Sequence, residues 1–404
     1  MHLVFLNQYY PPDVAPTGVM LEGVVRQLVR DGHEVTVLCA SGGYGGQAGR
    51  TTVPPSCGAT VVRIGTTKFG RGTWLGKLLD YASFYVGAAW QLMVLKRRPE
   101  RVVALTTPPY LSVVARLGSW WRGADHAHWV MDLYPDVMVA HGMLGEGSLA
   151  WRVLARLAAW GFGGRRCAAV LTLGPDMAAR VGGYLSGARS PVAEWVPLWG
   201  GEAAPGVADA AVALRQARGW GSAEVVVMYS GNMGLGHRFD GLLAAALAMR
   251  DAPLRFAFFG NGKRRGEIAD FMRAHPECRV ELHDYAPAEQ LAAHLQSAEV
   301  HVASLDPAWT GTMVPSKLQG IFAAGRAVVF LGSADSSIGQ WVAASGGGWV
   351  LQPDDGPGLR AALVEVCQPE TRAARGAAAG VFAAEHFSQA LNIPRVAAIL
   401  SRAP

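Results

Sequence analysis

Cysteine is scarce in this 404-residue chain: Cys39, Cys57, Cys167, Cys278 and Cys367 are widely spaced, with no CxxC or Cys/His motif among them. That excludes a disulfide scaffold and leaves no zinc-binding pattern, so no metal site is expected. Charge is thin as well, 17% against 50% hydrophobic residues, too apolar a mixture for a disordered chain. The N-terminus, MHLVFLNQYYPP, lacks a basic stretch and its apolar run stops after Leu6; no secretory signal is expected, and a reducing cytoplasm is the expected compartment. No uncharged apolar run reaches 18 residues. The nearest, 78–95, contains Asp80, which argues against a spanning helix. No GxGxxG opens the first helix and no acid closes the second strand, which disfavours a nicotinamide-dependent oxidoreductase.

What is present is the texture of an α/β protein. Fifty glycines and 23 prolines without a collagen-like period imply many turns between short elements, and the length implies two or three domains. Residues 2–6 read as a buried strand. Leu21, Val24, Val25, Leu28 and Val29 form one helical face, and 34–39 read as the next strand. Further strands are expected at 102–106, 128–131 and 169–173. After the Ala/Pro/Gly-rich stretch 202–208 the alternation restarts, with strands at 224–229, 254–259, 279–282, 300–304, 327–331 and 349–351. Alternating β and α predicts parallel sheets with ligands at the strand C-terminal ends.

Several loops at those ends carry candidate chemistry. In YSGNMGLGHRFDG, Gly231, Gly234 and Gly236 let the backbone approach an anion, with charge from His237 and Arg238; a ligand-free β-α turn explains the same glycines. Gly260, Asn261, Gly262 and Lys263 lie one strand later, where an Asn side chain can read a nucleobase edge. Pro315 and Ser316 suit a helix start, and Lys317 falls in its first turn. A cation there is unfavourable against the helix dipole unless an anion shares the place or the side chain leans away. Asp132 and Asp136 of MDLYPD follow a strand, where a carboxylate can orient a hydroxyl or cap a helix. The loop 7–18 and the turn 106–110 belong to the same end of that sheet. No DxD triplet exists to hold a metal-bound diphosphate, so cationic groups are expected to do that work.

In order, NQYYPPDVAPTG, TTPPY, MDLYPD, VPLWGG, YSGNMG, FFGNG and VPSKLQGIFAAGRAVV resemble the GT-B glycosyltransferases of family 4, in their bacterial surface-polysaccharide branch of colanic-acid and O-antigen type. The resemblance implies an α/β fold of two Rossmann-like parallel-sheet domains facing across a cleft. Residues 1–200 would hold the acceptor, 201–385 would hold the donor, and 386–404 would be a C-terminal helix packing back on the first domain. It implies retaining, metal-independent transfer from a nucleotide-diphosphate sugar, a UDP-sugar in preference to a GDP-sugar, with no cofactor. An inert donor-binding or scaffolding subunit of the same fold is the alternative.

The implied donor residues are Gly18, Gly231, Asn232, Gly234, His237, Gly260, Asn261, Gly262, Lys263, Thr312, Pro315 and Ser316; Lys317 and Arg238 would neutralise the leaving diphosphate. Asp132 would act on the acceptor, with Thr17, Thr107, Pro108 and Asp136 on the same side. Thr312 and Gly320 stand where the broader family has two glutamates, so the ribose contact of the second cannot be made by Gly320.

One segment is conspicuously basic. Between Arg63 and Arg122 there are ten Lys or Arg against Asp80 and Glu100, interleaved with nine aromatics. That mixture suits an anionic membrane surface, whereas a solvated face over an ordinary core helix is the plainer reading; nucleic acid is not expected. With the resemblance it implies a polyprenyl-diphosphate-linked saccharide acceptor, and an enzyme peripheral to the inner face of the cytoplasmic membrane.

Overall fold

The computed structural model describes all residues except 14, 42–56, 70–73, 186–190, 202–204 and 404. Arg71 and the start of the 202–208 stretch therefore lie outside the described residues. The chain divides into two compact units, Met1–Val196 with Gly311–Met313 and Ile393–Pro404, and Pro197–Thr310 with Val314–Asn392.

The first unit runs β1 (His2–Leu6), α1 (Pro16–Arg30), β2 (Glu34–Ala40), β3 (Thr60–Ile64), α2 (Trp74–Val94), β4 (Arg101–Ala104), α3 (Leu111–Arg122), β5 (Asp125–Trp129), α4 (Asp136–Ala140), α5 (Leu149–Phe162), β6 (Cys167–Thr172), α6 (Pro175–Gly182) and β7 (Ala193–Trp195). All seven strands are parallel, in the order β3-β2-β1-β4-β5-β6-β7. β1 is buried throughout because helices cover both faces of the sheet, which is why it reads as an unbroken apolar run.

The second unit runs α7 (Val207–Ala217), β8 (Val225–Ser230), α8 (Asp240–Ala248), β9 (Leu254–Phe259), α9 (Arg265–Ala274), β10 (Val280–His283), α10 (Leu291–Gln296), β11 (Val300–Ser304), α11 (Lys317–Ala323), β12 (Ala327–Leu331), α12 (Ser337–Ser345), β13 (Gly348–Leu351), α13 (Gly356–Val366) and α14 (Pro369–His386). A last helix, α15 (Gln389–Ser401), spans the change back to the first unit. The sheet is again parallel, β10-β9-β8-β11-β12-β13. Its core gathers Val227, Tyr229, Phe239, Phe258, Val302 and Val329.

Both sheets change winding direction beside their first strand, at β1/β4 and at β8/β11. In open α/β sheets ligands enter at such points, outside the strand C-terminal ends. Two departures from the sequence reading concern the first sheet. β5 lies at Asp125–Trp129, earlier than the expected 128–131, because His126 and His128 are buried strand residues despite their polarity. β3 and β7 were not anticipated; both are edge strands with mixed burial, and β7 has three residues.

Candidate active site

In the second unit, Lys317 opens α11, and its ammonium has three protein acceptors. Nζ donates to the Tyr229 hydroxyl, to His237 Nε2 at 3.1 Å and to the Asn232 carbonyl at 3.4 Å. It also lies 4.2 Å from the Tyr229 ring centre, a cation–π distance. Tyr229 in turn donates to the Asn232 carbonyl at 2.6 Å. These acceptors come from β8 and the loop after it, at the sheet's switch point. They are neutral, so burial dominates and lowers the Lys317 ammonium to about 7.

His237 is buried, with Nδ1 2.5 Å from the Ser304 carbonyl at the end of β11. That contact places the proton on Nδ1 and leaves Nε2 as an acceptor for Lys317. Desolvation, with Lys317 and Arg264 nearby, depresses the ring to about 3, so it stays neutral.

The glycines of these loops make close approach possible. Gly231 has φ +138°, and a Cβ there would stand 2.4 Å from Lys317 Cε; at Gly260 (φ +132°) it would stand 2.1 Å from the Gly231 carbonyl oxygen. A Cβ at Gly262 would meet the Met233 carbonyl, and one at Gly234 would lie 3.1 Å from Asn232 Nδ2. The glycines thus pack loop against loop and admit the lysine.

Asn261 is exposed, its Oδ1 accepting from Gly262 N at 2.7 Å, and Lys263 is exposed beside it. Ser316 is exposed and its side chain makes no cap bond, while Pro315 is buried. Arg238 is drawn elsewhere: its guanidinium pairs with Asp240 and Asp354, each at 2.8 Å. Arg264, which the loop pattern did not single out, is the further cation facing His237, and it pairs with Glu267 at 3.0 Å.

In the first unit, Asp132 follows β5. Its backbone N–H and that of Met131 donate to Thr106 Oγ1, at 3.1 and 3.2 Å. Its carboxylate has no hydrogen-bond or ion-pair partner among the described residues, and desolvation raises it to about 6. Asp136 differs: it is buried and engaged by Arg180 Nε at 2.6 Å and by the Tyr184 hydroxyl. Thr17 Oγ1 accepts from Asn7 Nδ2 at 3.3 Å, and the Thr107 carbonyl accepts from Gln8 N at 2.7 Å. Pro108 is buried. Gly18 is buried in the first turn of α1, where a Cβ would lie 3.0 Å from the Tyr9 carbonyl oxygen. The oxygens of the buried Asn7 and Gln8 amides, beyond β1 at the switch point, have no hydrogen-bond partner among the described residues. Thr312, counted with this unit, is buried, and its carbonyl accepts from Leu133 N at 2.7 Å.

The fold does assemble a Cys/His group that sequence spacing hid. His126, His128 and Cys167 bring ligand atoms within 4.8 Å of one another. The residues suit a cation poorly: burial, with Arg116 and Arg101 nearby, lowers His126 to about 4, and burial pushes the Cys167 thiol up to about 12.

Two parallel Rossmann-like sheets, each with polar groups at its switch point, are matched by known proteins. Residues 17–199 match the glycosyl transferase 4-like domain family. The chain is a glycosyltransferase of the GT-B type. It is 25% identical over 349 residues to the putative colanic acid biosynthesis glycosyl transferase WcaI of Escherichia coli, covering 84% of this chain and 85% of that protein. It is 22% identical to the probable glycosyltransferase WbjE of Pseudomonas aeruginosa, over 97% and 96% of the two chains. Among solved structures it resembles Anabaena HepE in complex with UDP and glucose, with TM-score 0.71, 14% identity and full coverage of both chains. It also resembles WaaG, a glycosyltransferase involved in lipopolysaccharide biosynthesis, with TM-score 0.67, 15% identity and coverage of 99% and 100%.

Proposed function

We propose that this glycosyltransferase moves a sugar from a nucleoside-diphosphate sugar on its second unit to a saccharide acceptor on its first, in the assembly of a bacterial surface polysaccharide. The observation that carries this reading is Lys317, an ammonium held by neutral acceptors at the β8/β11 switch point. A diphosphate leaving group gains charge in the transition state, and a fixed cation in a desolvated place stabilises it without reorganising. Lys317 takes that role, His237 and Tyr229 aim it, and Gly231 makes room for it. The missing DxD fits a reaction in which protein cations replace a metal, and retention at the anomeric carbon follows the family resemblance. HepE was solved with UDP, which favours UDP as the nucleotide.

Asp132, unpaired at the end of β5, is placed on the acceptor hydroxyl. The acceptor is a polyprenyl-diphosphate-linked saccharide, and the enzyme works at the inner face of the cytoplasmic membrane, bound through an apolar and basic surface on the first unit. Supporting this surface, α2, α3 and α5 leave Trp90, Trp120, Trp121 and Val153 exposed and contain a single acid, Asp80. No helix among the described residues is long and apolar enough to cross a membrane.

The test is a thermal-shift panel of UDP, GDP, dTDP and ADP with EDTA present, followed by product analysis with the matching sugar nucleotides. UDP is expected to raise the melting temperature most, and a ligand binding the native state alone must do so. No response to any nucleoside diphosphate would leave the inert scaffolding subunit as the better reading.

A further inference from the structure

Beside Asp132 the first unit has a small, partly open cavity of about 10 Å³, lined among others by Thr106, Tyr110, Ser112, His128, Asp132 and Tyr134. That volume is at the lower limit for one water molecule, which also needs two to four polar partners. The partners are there. Among the described residues Tyr110 Oη is buried without a hydrogen bond, and neither ring nitrogen of His128, a residue 1% exposed, makes a well-formed one, although one of the two faces the Gly161 carbonyl. Among the described residues Tyr110 is also the one non-glycine residue with a positive φ, +62°, at the start of α3. Such backbone persists where surrounding structure imposes it, and it concentrates at functional sites.

We propose that this cavity is a one-water site, and that Tyr110 and His128 position the Asp132 carboxyl through that water. The proposal rests on the reading of Asp132 as the acceptor-side group. The bonds balance as follows. Tyr110 donates its hydroxyl proton to the water oxygen. The water donates one proton to the Asp132 carboxylate and the other to an unprotonated ring nitrogen of His128, whose remaining N–H faces the Gly161 carbonyl. The phenol stays protonated, because burial raises its pKa well above the ordinary value, and burial keeps His128 neutral.

The other groups facing this array are known. Tyr134 adjoins Asp132, with Tyr81 and Tyr85 of α2 beyond it; Asp136, engaged by Arg180, acts on Tyr110; His126 and Arg116 act on His128. No cation faces the Asp132 carboxylate among them, so a water donating to it would be the main support for its ionised form. Tyr110 and His128 are therefore positioning residues.

The experiment is the pH profile of transfer in the full-length enzyme, comparing wild type with Tyr110→Phe, His128→Leu and His128→Asn. Transfer needs ionised Asp132, so the wild-type rate rises with pH through an acid limb. Tyr110→Phe and His128→Leu weaken the water, disfavour the carboxylate and move that limb up by about half to one pH unit, with the KM for the sugar nucleotide unchanged. His128→Asn, which keeps an acceptor in the cavity, restores most of the shift. An unmoved limb in Tyr110→Phe and His128→Leu overturns the proposal. Should the variants fail to fold, a high-resolution crystal structure of the wild type decides: a water peak bonded to Tyr110 and His128 supports the site, and a dry cavity overturns it. Failure of the underlying reading is distinguishable, because full transfer by Asp132→Asn removes Asp132 itself from the reaction.

Discussion

Lys317 Nζ lies 3.1 Å from Nε2 of His237, and the other nitrogen of that ring is 2.5 Å from the Ser304 carbonyl. One strand end thus fixes the tautomer, and the tautomer fixes which way the lysine proton points. With His237 depressed to about 3, the pair carries one positive charge between about pH 3 and 7, and it resides on the lysine. His237 acts as an acceptor, not as a second cation.

A pH dependence follows from that charge. Lys317 is protonated below about 7 and loses its proton above it, so kcat/KM for the sugar nucleotide is expected to fall as pH rises through about 7. Bound diphosphate favours the ammonium, so the limb in kcat lies at higher pH. Lys317→Ala is expected to lower kcat by about 10²–10³, in the range of losing one fixed charge-stabilising donor. Lys317→Arg keeps charge at all these pH values, and its profile should lack the limb. A limb retained in Lys317→Arg would assign the titration to another group.

Gly231→Ala is expected to resemble loss of the lysine. A Cβ at 2.4 Å from Lys317 Cε, on a backbone at φ +138°, must displace the side chain from Tyr229 and His237. Steady-state kinetics should show most of the Lys317→Ala defect while the lysine is still present. Wild-type turnover would mean that the ammonium's position in this structure is not the productive one.

Arg238 provides a contrast. Its guanidinium is shared by Asp240 and Asp354, and its stated role in neutralising the diphosphate requires it to leave them. Arg238→Ala is therefore expected to cost at least tenfold less in kcat than Lys317→Ala, with a stability loss of about 1 kcal/mol or less for so exposed a set of acids. Chemical denaturation and kinetics on the same preparation check both parts. A kcat defect equal to that of Lys317→Ala would return Arg238 to the diphosphate.

For Asp132 the sign is opposite to that of Lys317. Its carboxyl ionises only above about 6, so transfer should rise with pH through that value. Asp132→Asn is expected to abolish transfer and leave UDP binding intact by calorimetry, since the nucleotide is assigned to the other unit. Lost UDP binding would show that the residue is structural.

These groups were unequally legible in the sequence. Strands β9, β11 and β12 and the first strand appear as apolar runs because both sheet faces are covered, and their limits match the structure to the residue. His237 and Lys317 could be singled out because His237 stands in the loop after a buried strand and Lys317 in the first turn of the helix that follows another. Tyr229 could not, since an aromatic inside a buried strand reads as core, and only the fold reveals a hydroxyl facing a lysine. Tyr110 gave no signal either: a positive φ outside glycine has no residue-type signature. Gly260 and Gly262 entered as donor residues through the family resemblance, and in the structure they also bring one loop against the next.

The basic segment now has a surface against which to weigh it. Part of it is not available to a membrane: Arg101 is fully buried against Asp125 and the Leu400 carbonyl, Phe84 is core, and Arg97 is paired with Glu34. What is exposed is nevertheless contiguous in kind. Gly118 lets α3 pack on Leu92 of α2, and Arg122 donates to the Met93 and Leu95 carbonyls, bringing Trp120 and Trp121 to the end of α2. Trp120 is 71% and Trp121 65% exposed, and Trp90 lies over an open groove of about 550 Å³ lined by Leu79, Ala82 and Val86. Neighbouring α5, which contacts α3 through Gly161 on Ser112, adds exposed Leu149, Val153 and Leu157, interspersed with exposed Arg152 and Arg156. Apolar side chains among cations suit a headgroup layer, where each Lys or Arg contributes about 1 kcal/mol. Flotation with liposomes is therefore expected to recover the protein with anionic vesicles, less so in high salt, and little with neutral ones. The pair Trp120→Ser and Trp121→Ser should weaken binding at constant charge, and Arg152→Glu with Arg156→Glu should weaken it through α5, far in sequence from the basic segment. Equal recovery with neutral and anionic vesicles would remove the membrane and favour a soluble acceptor. Loss in the tryptophan pair without loss in the α5 pair would confine the contact to α2 and α3.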